Sequence, residues 1–235
     1  MDIAVTFLII LLLTAYIIKS VVNRLHLDSE NYLWMLFVVH VLLTATYMAY
    51  AAQTTSDSIA YYNKTSGAPN WFELWGIGTP FIHFFAWPFA GLFGLSYYAT
   101  MMVFSFFGFL SIMAFYITAK ENIKLEPVFG KLTAIELIFL LPNLHFWSAS
   151  LGKGAVIMSG LALFTYGLSR FNRRFLPLVI GGLITFMVRP HILFTVILSV
   201  MLGVILTSGG IKPLVRWMIF LVAGVVFIYI SDDVL

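Results

Sequence analysis

The feature that most constrains this chain is a series of long apolar segments separated by short polar turns. These segments run over residues 3–18, 32–52, 97–119, 132–148, 155–169, 175–188, 192–207 and 214–230. Helices satisfy their own backbone hydrogen bonds, so such segments are typical of helices surrounded by lipid. Only 10% of the 235 residues are charged, against about 25% in soluble domains, which nearly excludes a water-soluble fold. The pattern predicts an all-α polytopic membrane protein with one transmembrane domain, 1–235.

Composition excludes several classes of site. The chain has no cysteine, so it has no disulfide framework, thiolate metal site or cysteine nucleophile. Its histidines are too scattered for a metal-binding motif, although this leaves open whether a divalent cation takes part in function. The net charge of +3 is too small to indicate a nucleic-acid partner.

The distribution of basic residues predicts the topology. Residues 81–95 form a short, aromatic segment that contains Pro88, too short for an ordinary span. If this segment does not cross the membrane, ten of the thirteen basic residues are cytoplasmic; if it does cross, only four are. The positive-inside rule favours the first topology. We therefore predict about eight spans, both termini outside, an outer loop over 53–78 and a re-entrant or interfacial element over 79–95.

This topology brings polar groups from three separate segments to the outer face. The loop over 53–78 contributes an acid pair, the turn over 143–154 a histidine and a lysine, and the turn over 188–191 an arginine and a histidine. The predicted site residues are Asp57, Glu73, His145, Lys153, Arg189 and His191. Aromatic side chains of the same loop could stack on sugar rings; they are Tyr61, Tyr62, Trp71 and Trp75.

The turn at Arg189 carries the most information. Residues 175–207 would form two helices of about sixteen residues, each about 24 Å long, whereas the apolar core is about 30 Å thick. The turn between them should therefore lie in a depression below the outer surface. A charge at that depth is by default a candidate functional group, and an arginine fork suits phosphate oxygens.

Each of these residues also has a structural interpretation. The two cations could extend to lipid headgroups, and Asp57 could cap a short helix. Both histidines could pack at the interface, and Glu73 could be an ordinary interfacial acid. The sequence leaves these alternatives open.

Two stretches resemble a known group of proteins. Residues 141–153 read LPNLHFWSASLGK, and residues 186–191 read FMVRPH. They resemble bacterial membrane proteins of surface-polysaccharide gene clusters, which often carry a Pro-Ser-x-x-Phe-Trp-Ser-Ser-Gly-x-x-Lys stretch and a later Arg-Pro-His. Those proteins look like distant members of the C-type superfamily of integral-membrane glycosyltransferases.

The resemblance implies a glycosyltransferase in the bacterial inner membrane that uses a lipid-linked sugar. In that superfamily a carboxylate of the first large outer loop is the catalytic base, which implies Asp57, although here an extra helix precedes the loop. The remaining predicted residues would bind the substrate and its phosphate. Two alternatives stay open: a polymerase of lipid-linked repeat units, and a non-catalytic membrane subunit or transporter. Membrane-protein partners also stay open.

Overall fold

A computed structural model describes residues 2–25, 29–124 and 126–207, together with positions 217, 218, 221 and 224. The described chain is almost entirely helical. In order, the elements are α1 (Asp2–Leu25), α2 (Glu30–Gln53), α3 (Asp57–Ser66), a short turn (Phe72–Leu74), α4 (Thr79–Trp87), a π-helical turn (Pro88–Leu92), α5 (Tyr97–Asn122), β1 (Pro127–Phe129), β2 (Leu132–Thr133), α6 (Ala134–Phe139), α7 (Pro142–Ser148), α8 (Lys153–Ser169), α9 (Phe175–Val188) and α10 (Pro190–Thr207).

Four of the described helices are long and apolar enough to cross a membrane: α1, α2, α5 and α10. The number becomes five if α7 and α8, which meet at a bend of 110°, count as one broken span. Helix α9 is apolar but has only 14 residues. The predicted span over 214–230 lies outside the described residues except at four positions.

The predicted helix over 132–148 is divided in the structure. It consists of β2, the six-residue α6 and the seven-residue α7, which begins at Pro142. Proline has no N–H to continue the α6 hydrogen-bond ladder, and its ring clashes with the preceding turn. The apolar composition of residues 132–148 gives no indication of this break.

Contacts between helix ends define two ends of the bundle. The Asp2 carboxylate accepts a hydrogen bond from the Ser96 N–H at 2.8 Å, so α1 and α5 start side by side. At the far end of α5, Arg174 donates to Glu121 at 2.6 Å, which places the end of α8 there. We call the first end the α3 end and the second the Lys120 end. Helices α1, α5 and α8 run from the α3 end to the Lys120 end, and α2 and α9 run back.

The bundle is built around α5, which contacts α1, α2, α7 and α8. Helices α8 and α9 pack closely because glycines face each other in their interface. A Cβ on Gly160 or Gly181 would collide with the opposite helix, at Thr185 and Phe164 respectively. This close packing fixes the position of the α8 start relative to the α9 end along the bundle axis.

The segment over 79–95 starts and finishes against α3. The ring of His83, near its start, contacts Tyr61 at 5.5 Å between centroids. At its finish, the Leu95 carbonyl accepts a hydrogen bond from the Tyr62 hydroxyl at 3.0 Å. Between these points Phe85 reaches along α5 and packs on Phe107 at 5.3 Å. The segment therefore leaves the α3 end and returns to it.

Candidate functional site

Helix α3 presents Asp57 at its first turn without using it as the cap. The Ser56 side chain accepts the hydrogen bond from the Ser58 N–H at 3.3 Å and thereby caps the helix. The Asp57 carboxylate is exposed. One turn later on the same helix face, at the i, i+4 spacing, lies Tyr61.

Tyr61 connects the loop with two other parts of the bundle. Its hydroxyl lies close to the side chain of Thr79, the first residue of α4. Its ring lies against Gly152, where a Cβ would be 3.3 Å from Tyr61 Cε2. A larger residue than glycine at position 152 would crowd this contact.

Two opposite charges act on the Tyr61 hydroxyl. Burial, and after it the negative charge of Asp57, raise the pKa of Tyr61, while the nearby Thr79 side chain and the positive charge of Arg189 oppose the rise. Asp57 and Arg189 therefore both lie within electrostatic range of one phenol group.

Lys153 is the first residue of α8 and follows Gly152 directly, so the Tyr61–Gly152 contact brings it beside α3. The Ser159 hydroxyl lies 2.9 Å from the Ser111 hydroxyl and donates to the Phe107 carbonyl at 3.3 Å, which fixes the register of α8 on α5. Phe107 is ten residues from the start of α5, and Ser159 is six from the start of α8. Ser111 is fourteen residues from the α5 start, so the two contacts set the α8 start back from the α5 start by about four to eight residues, about 6–12 Å.

Arg189 lies between α9 and α10. Its N–H donates to the Thr185 carbonyl at 2.8 Å, and Pro190 then begins α10. The Gly78 N–H donates to the Met187 carbonyl at 2.7 Å and joins this turn to the start of α4. The Arg189 side chain is exposed, and His191 is half-buried two residues further on.

The remaining predicted residues have different surroundings. Glu73 is exposed on the turn over 72–74, next to Trp71, whose ring stacks on Phe84 at 4.7 Å. His145 was predicted in an outer turn, but it is fully buried in the bundle, where its Nδ1 lies 3.1 Å from Nδ1 of His40. The break at Pro142 directs α7 into the bundle. The structure therefore brings together Asp57, Lys153 and Arg189, and it does not bring His145 to them.

From the sequence, Tyr61 was predicted only as one of several aromatic residues of the loop that could stack on sugar rings. The available signal was its position four residues after Asp57, which puts both on one helix face. Thr79 had no signal, because its role depends on how α4 returns to α3. Tyr61 and Thr79 are assigned to the site because of the contacts described above.

Within the described residues, Asp57, Glu73, Lys153 and Arg189 form no ion pair, whereas Glu121 and Glu136 at the Lys120 end do. The same part of the chain holds no group of three or more His, Cys, Asp or Glu side chains that could bind a metal ion. The site thus consists of an exposed acid, two cations and a phenol around a set-back helix start. Comparison with known proteins finds no matching family model, no matching curated protein and no matching solved structure.

Proposed function

We propose that this protein is a membrane glycosyltransferase that moves a sugar from a polyprenyl-phosphate donor to an acceptor at the α3 end of the bundle. The proposal rests on the position of Tyr61: its ring packs against Gly152, next to Lys153, and its hydroxyl lies within electrostatic range of Asp57 and Arg189. An acid and two cations at one place suit a reaction in which a proton is accepted while a phosphate leaves.

The proposal places the α3 end on the non-cytoplasmic face. Among the described residues, the basic side chains at the Lys120 end are Lys19, Arg24, Lys120, Lys124, Lys131, Arg170, Arg173 and Arg174, and those at the α3 end are Lys64, Lys153 and Arg189. By the positive-inside rule the Lys120 end faces the cytoplasm. The topology proposed with it has eight spans, including 214–230, and both termini outside.

The two cations are suited to the donor phosphate. Arg189 offers a planar fork of N–H donors, and Lys153 stands at the first turn of α8, where the free N–H groups of the helix also favour an anion. No carboxylate of the described chain pairs with either side chain, so both keep their charge for a ligand. The polyprenyl tail would lie among the helices with the phosphate in the set-back region.

Asp57 is the proposed general base. In the transfer, the bond between the anomeric carbon and the phosphate oxygen breaks, and a hydroxyl oxygen of the acceptor forms the new glycosidic bond. The hydroxyl proton passes to the Asp57 carboxylate, and the bonding electrons leave with the phosphate, whose charge Arg189 and Lys153 stabilise. Tyr61 holds α3 in place against α4 and α8 during this step.

The test is the Asp57→Asn variant, assayed for sugar transfer from a polyprenyl-phosphate monosaccharide in reconstituted vesicles. We expect the rate to fall by about 10³-fold, because general-base catalysis contributes about 10²–10⁴-fold. The matched control is Glu73→Gln, an exposed acid of the same loop, which should retain most of its activity. Wild-type turnover by Asp57→Asn would refute the assignment of the base. A requirement for oligosaccharide donors would indicate a polymerase instead.

A further inference from the structure

A second group of titratable side chains lies inside the bundle, away from the proposed site. His40 of α2 and His145 of α7 are both buried, with exposed fractions of 1% and 0%. Their Nδ1 atoms lie 3.1 Å apart. The other ring nitrogen of each histidine meets a backbone carbonyl: His40 Nε2 is 2.9 Å from the Ser105 oxygen, and His145 Nε2 is 2.7 Å from the Phe139 oxygen.

The protons required by these contacts can be counted. Carbonyl oxygens only accept, so each Nε2 must carry a hydrogen to bond its carbonyl. The contact between the two Nδ1 atoms needs one hydrogen as well, because two bare lone pairs at 3.1 Å repel each other. Three contacts therefore require three hydrogens, whereas two neutral imidazole rings carry only two.

Removing the hydrogen from either contact between a ring nitrogen and a carbonyl oxygen would cost free energy. The Phe139 carbonyl is the last of α6, and Pro142, three residues later, has no N–H to offer it. The Ser105 carbonyl is held next to His40, because the Thr44 hydroxyl donates to the His40 carbonyl at 2.7 Å and lies 2.6 Å from the Ser105 hydroxyl. A neutral pair would leave one ring nitrogen facing an oxygen with no hydrogen between them.

We propose that His40 and His145 share one additional proton between their Nδ1 atoms, so that the pair is a buried proton-binding site with a charge of +1. Each ring donates its Nε2 hydrogen to a carbonyl, and the two carbonyl dipoles stabilise the charge of the ring that carries the additional proton. The shared proton joins α7 to α2 in the middle of the bundle. This inference is independent of the proposed glycosyltransferase activity.

The neighbouring elements supply no other charge to the pair. The acidic and basic side chains of α1, α2, α5, α6 and α8, apart from His40, lie in or near the end turns of these helices, and α7 has none besides His145. They are Asp2, Lys19, Arg24, Glu30, Lys120, Glu121, Glu136 and Lys153. Ten residues separate Glu30 from His40, which is about 15 Å along α2. On α6, Glu136 is already engaged by Lys120 at 3.3 Å. Against His40 lies the ring of Phe109, at 6.0 Å.

A metal ion is the other cation that could sit between two Nδ1 lone pairs. Structural metal ions usually need about four ligands, and the described residues provide no third His, Cys, Asp or Glu side chain at this place. A separation of 3.1 Å is also an ordinary distance for a hydrogen bond between two nitrogens. A proton fits the observations better than a metal.

The experiment is 15N NMR of the full-length protein labelled at histidine, in lipid nanodiscs at pH 7. The chain has five histidines, at positions 26, 40, 83, 145 and 191. The variants His26→Gln, His83→Gln and His191→Gln assign their own signals, which leaves those of the pair. We expect two protonated Nε2 signals and two Nδ1 signals that share one proton, with scalar coupling across the hydrogen bond.

Two results would overturn the proposal. Two neutral rings, with one of the three contacts lacking a hydrogen, would show that no additional proton is bound. Nδ1 signals that shift when a chelator removes a metal would show that the cation is a metal ion. His145→Gln should convert His40 to an ordinary neutral ring. If that variant does not fold, the wild-type spectrum still decides between the outcomes.

Discussion

The described ion pairs lie at the Lys120 end of the bundle, whereas the charged residues of the proposed site at the α3 end form none. At the Lys120 end two acids, Glu121 and Glu136, are in ion pairs. Glu121 receives two hydrogen bonds from Arg174, at 2.6 and 2.7 Å, and lies 3.4 Å from Arg170. The Arg174 guanidinium also lies 3.8 Å from the centre of the Tyr166 ring. At the α3 end, Asp57, Lys153 and Arg189 gather around one tyrosine but form no ion pair with each other.

The ion pairs of the Lys120 end therefore have a structural role, whereas the unpaired charges of the proposed site are available to bind a ligand. A partly buried ion pair with bidentate geometry fixes two helices relative to each other. Unpaired charges of opposite sign at one place leave their hydrogen-bonding capacity for a ligand. Variants at the two ends should therefore affect different properties: stability at the Lys120 end, and substrate turnover at the α3 end.

After Asp57→Asn, the largest effect is expected for Arg189→Ala. Removing a preorganised donor to a developing negative charge typically slows a reaction by about 100-fold or more, and we expect this loss in sugar transfer. Arg189→Lys should restore little, because an ammonium group cannot reproduce the bidentate fork. The matched control is Arg173→Ala, an exposed arginine at the Lys120 end, whose rate should stay near wild type. Equal losses in both variants would remove the distinction between the ends.

A smaller effect, on stability alone, is expected for Arg174→Ala. It leaves Glu121, whose side chain is 6% exposed, without its bidentate partner. We expect a loss of about 2 kcal/mol in the free energy of unfolding, since hydrogen bonds to charged groups contribute about 1.5–3 kcal/mol. Thermal unfolding in detergent measures it, and the affinity for the donor should not change. The double variant Glu121→Gln with Arg174→Ala should recover part of the loss, because no unpaired carboxylate remains.

The smallest effect is expected for the loss of single tyrosine hydroxyls. Tyr61→Phe removes the hydroxyl that lies close to Thr79, and we expect transfer to slow by about fivefold, comparable to the loss of one hydrogen bond of about 1 kcal/mol. Tyr116→Phe is the counterpart at the Lys120 end, where the hydroxyl lies 2.9 Å from Ser29 and 3.1 Å from Glu136. It should lower the unfolding temperature and leave the rate unchanged. A slower transfer in Tyr116→Phe, or a lower unfolding temperature with an unchanged rate in Tyr61→Phe, would contradict the comparison.

The sequence predicted the long helices well, because continuous apolar composition is sufficient to specify α1, α2, α5 and α10. It did not predict the division of 132–148, since one proline within an apolar run is compatible with either a kink or a break. The grouping of Asp57, Lys153 and Arg189 was predicted from topology alone. Tyr61 was not assigned to it, because its role depends on a contact with Gly152, 91 residues later.

The contact between the two buried histidines could not be predicted from the sequence. His145 was predicted as an outer-face residue because it lies close to Lys153 in sequence. Its true partner, His40, stands in the middle of a long apolar segment, where the sequence gives no indication of what it meets. Contacts between distant segments depend on helix register, which composition does not determine.

The central claim is that the acid and the cations share one face of the membrane. Because the chain has no native cysteine, single cysteines can be placed by Asp57→Cys, Lys153→Cys, Arg189→Cys, Glu126→Cys and Asn172→Cys and probed in intact cells with an impermeant thiol reagent. We predict that the first three are labelled from outside and that the last two are labelled only after permeabilisation. Labelling of Asp57→Cys and Arg189→Cys from opposite faces would contradict the account.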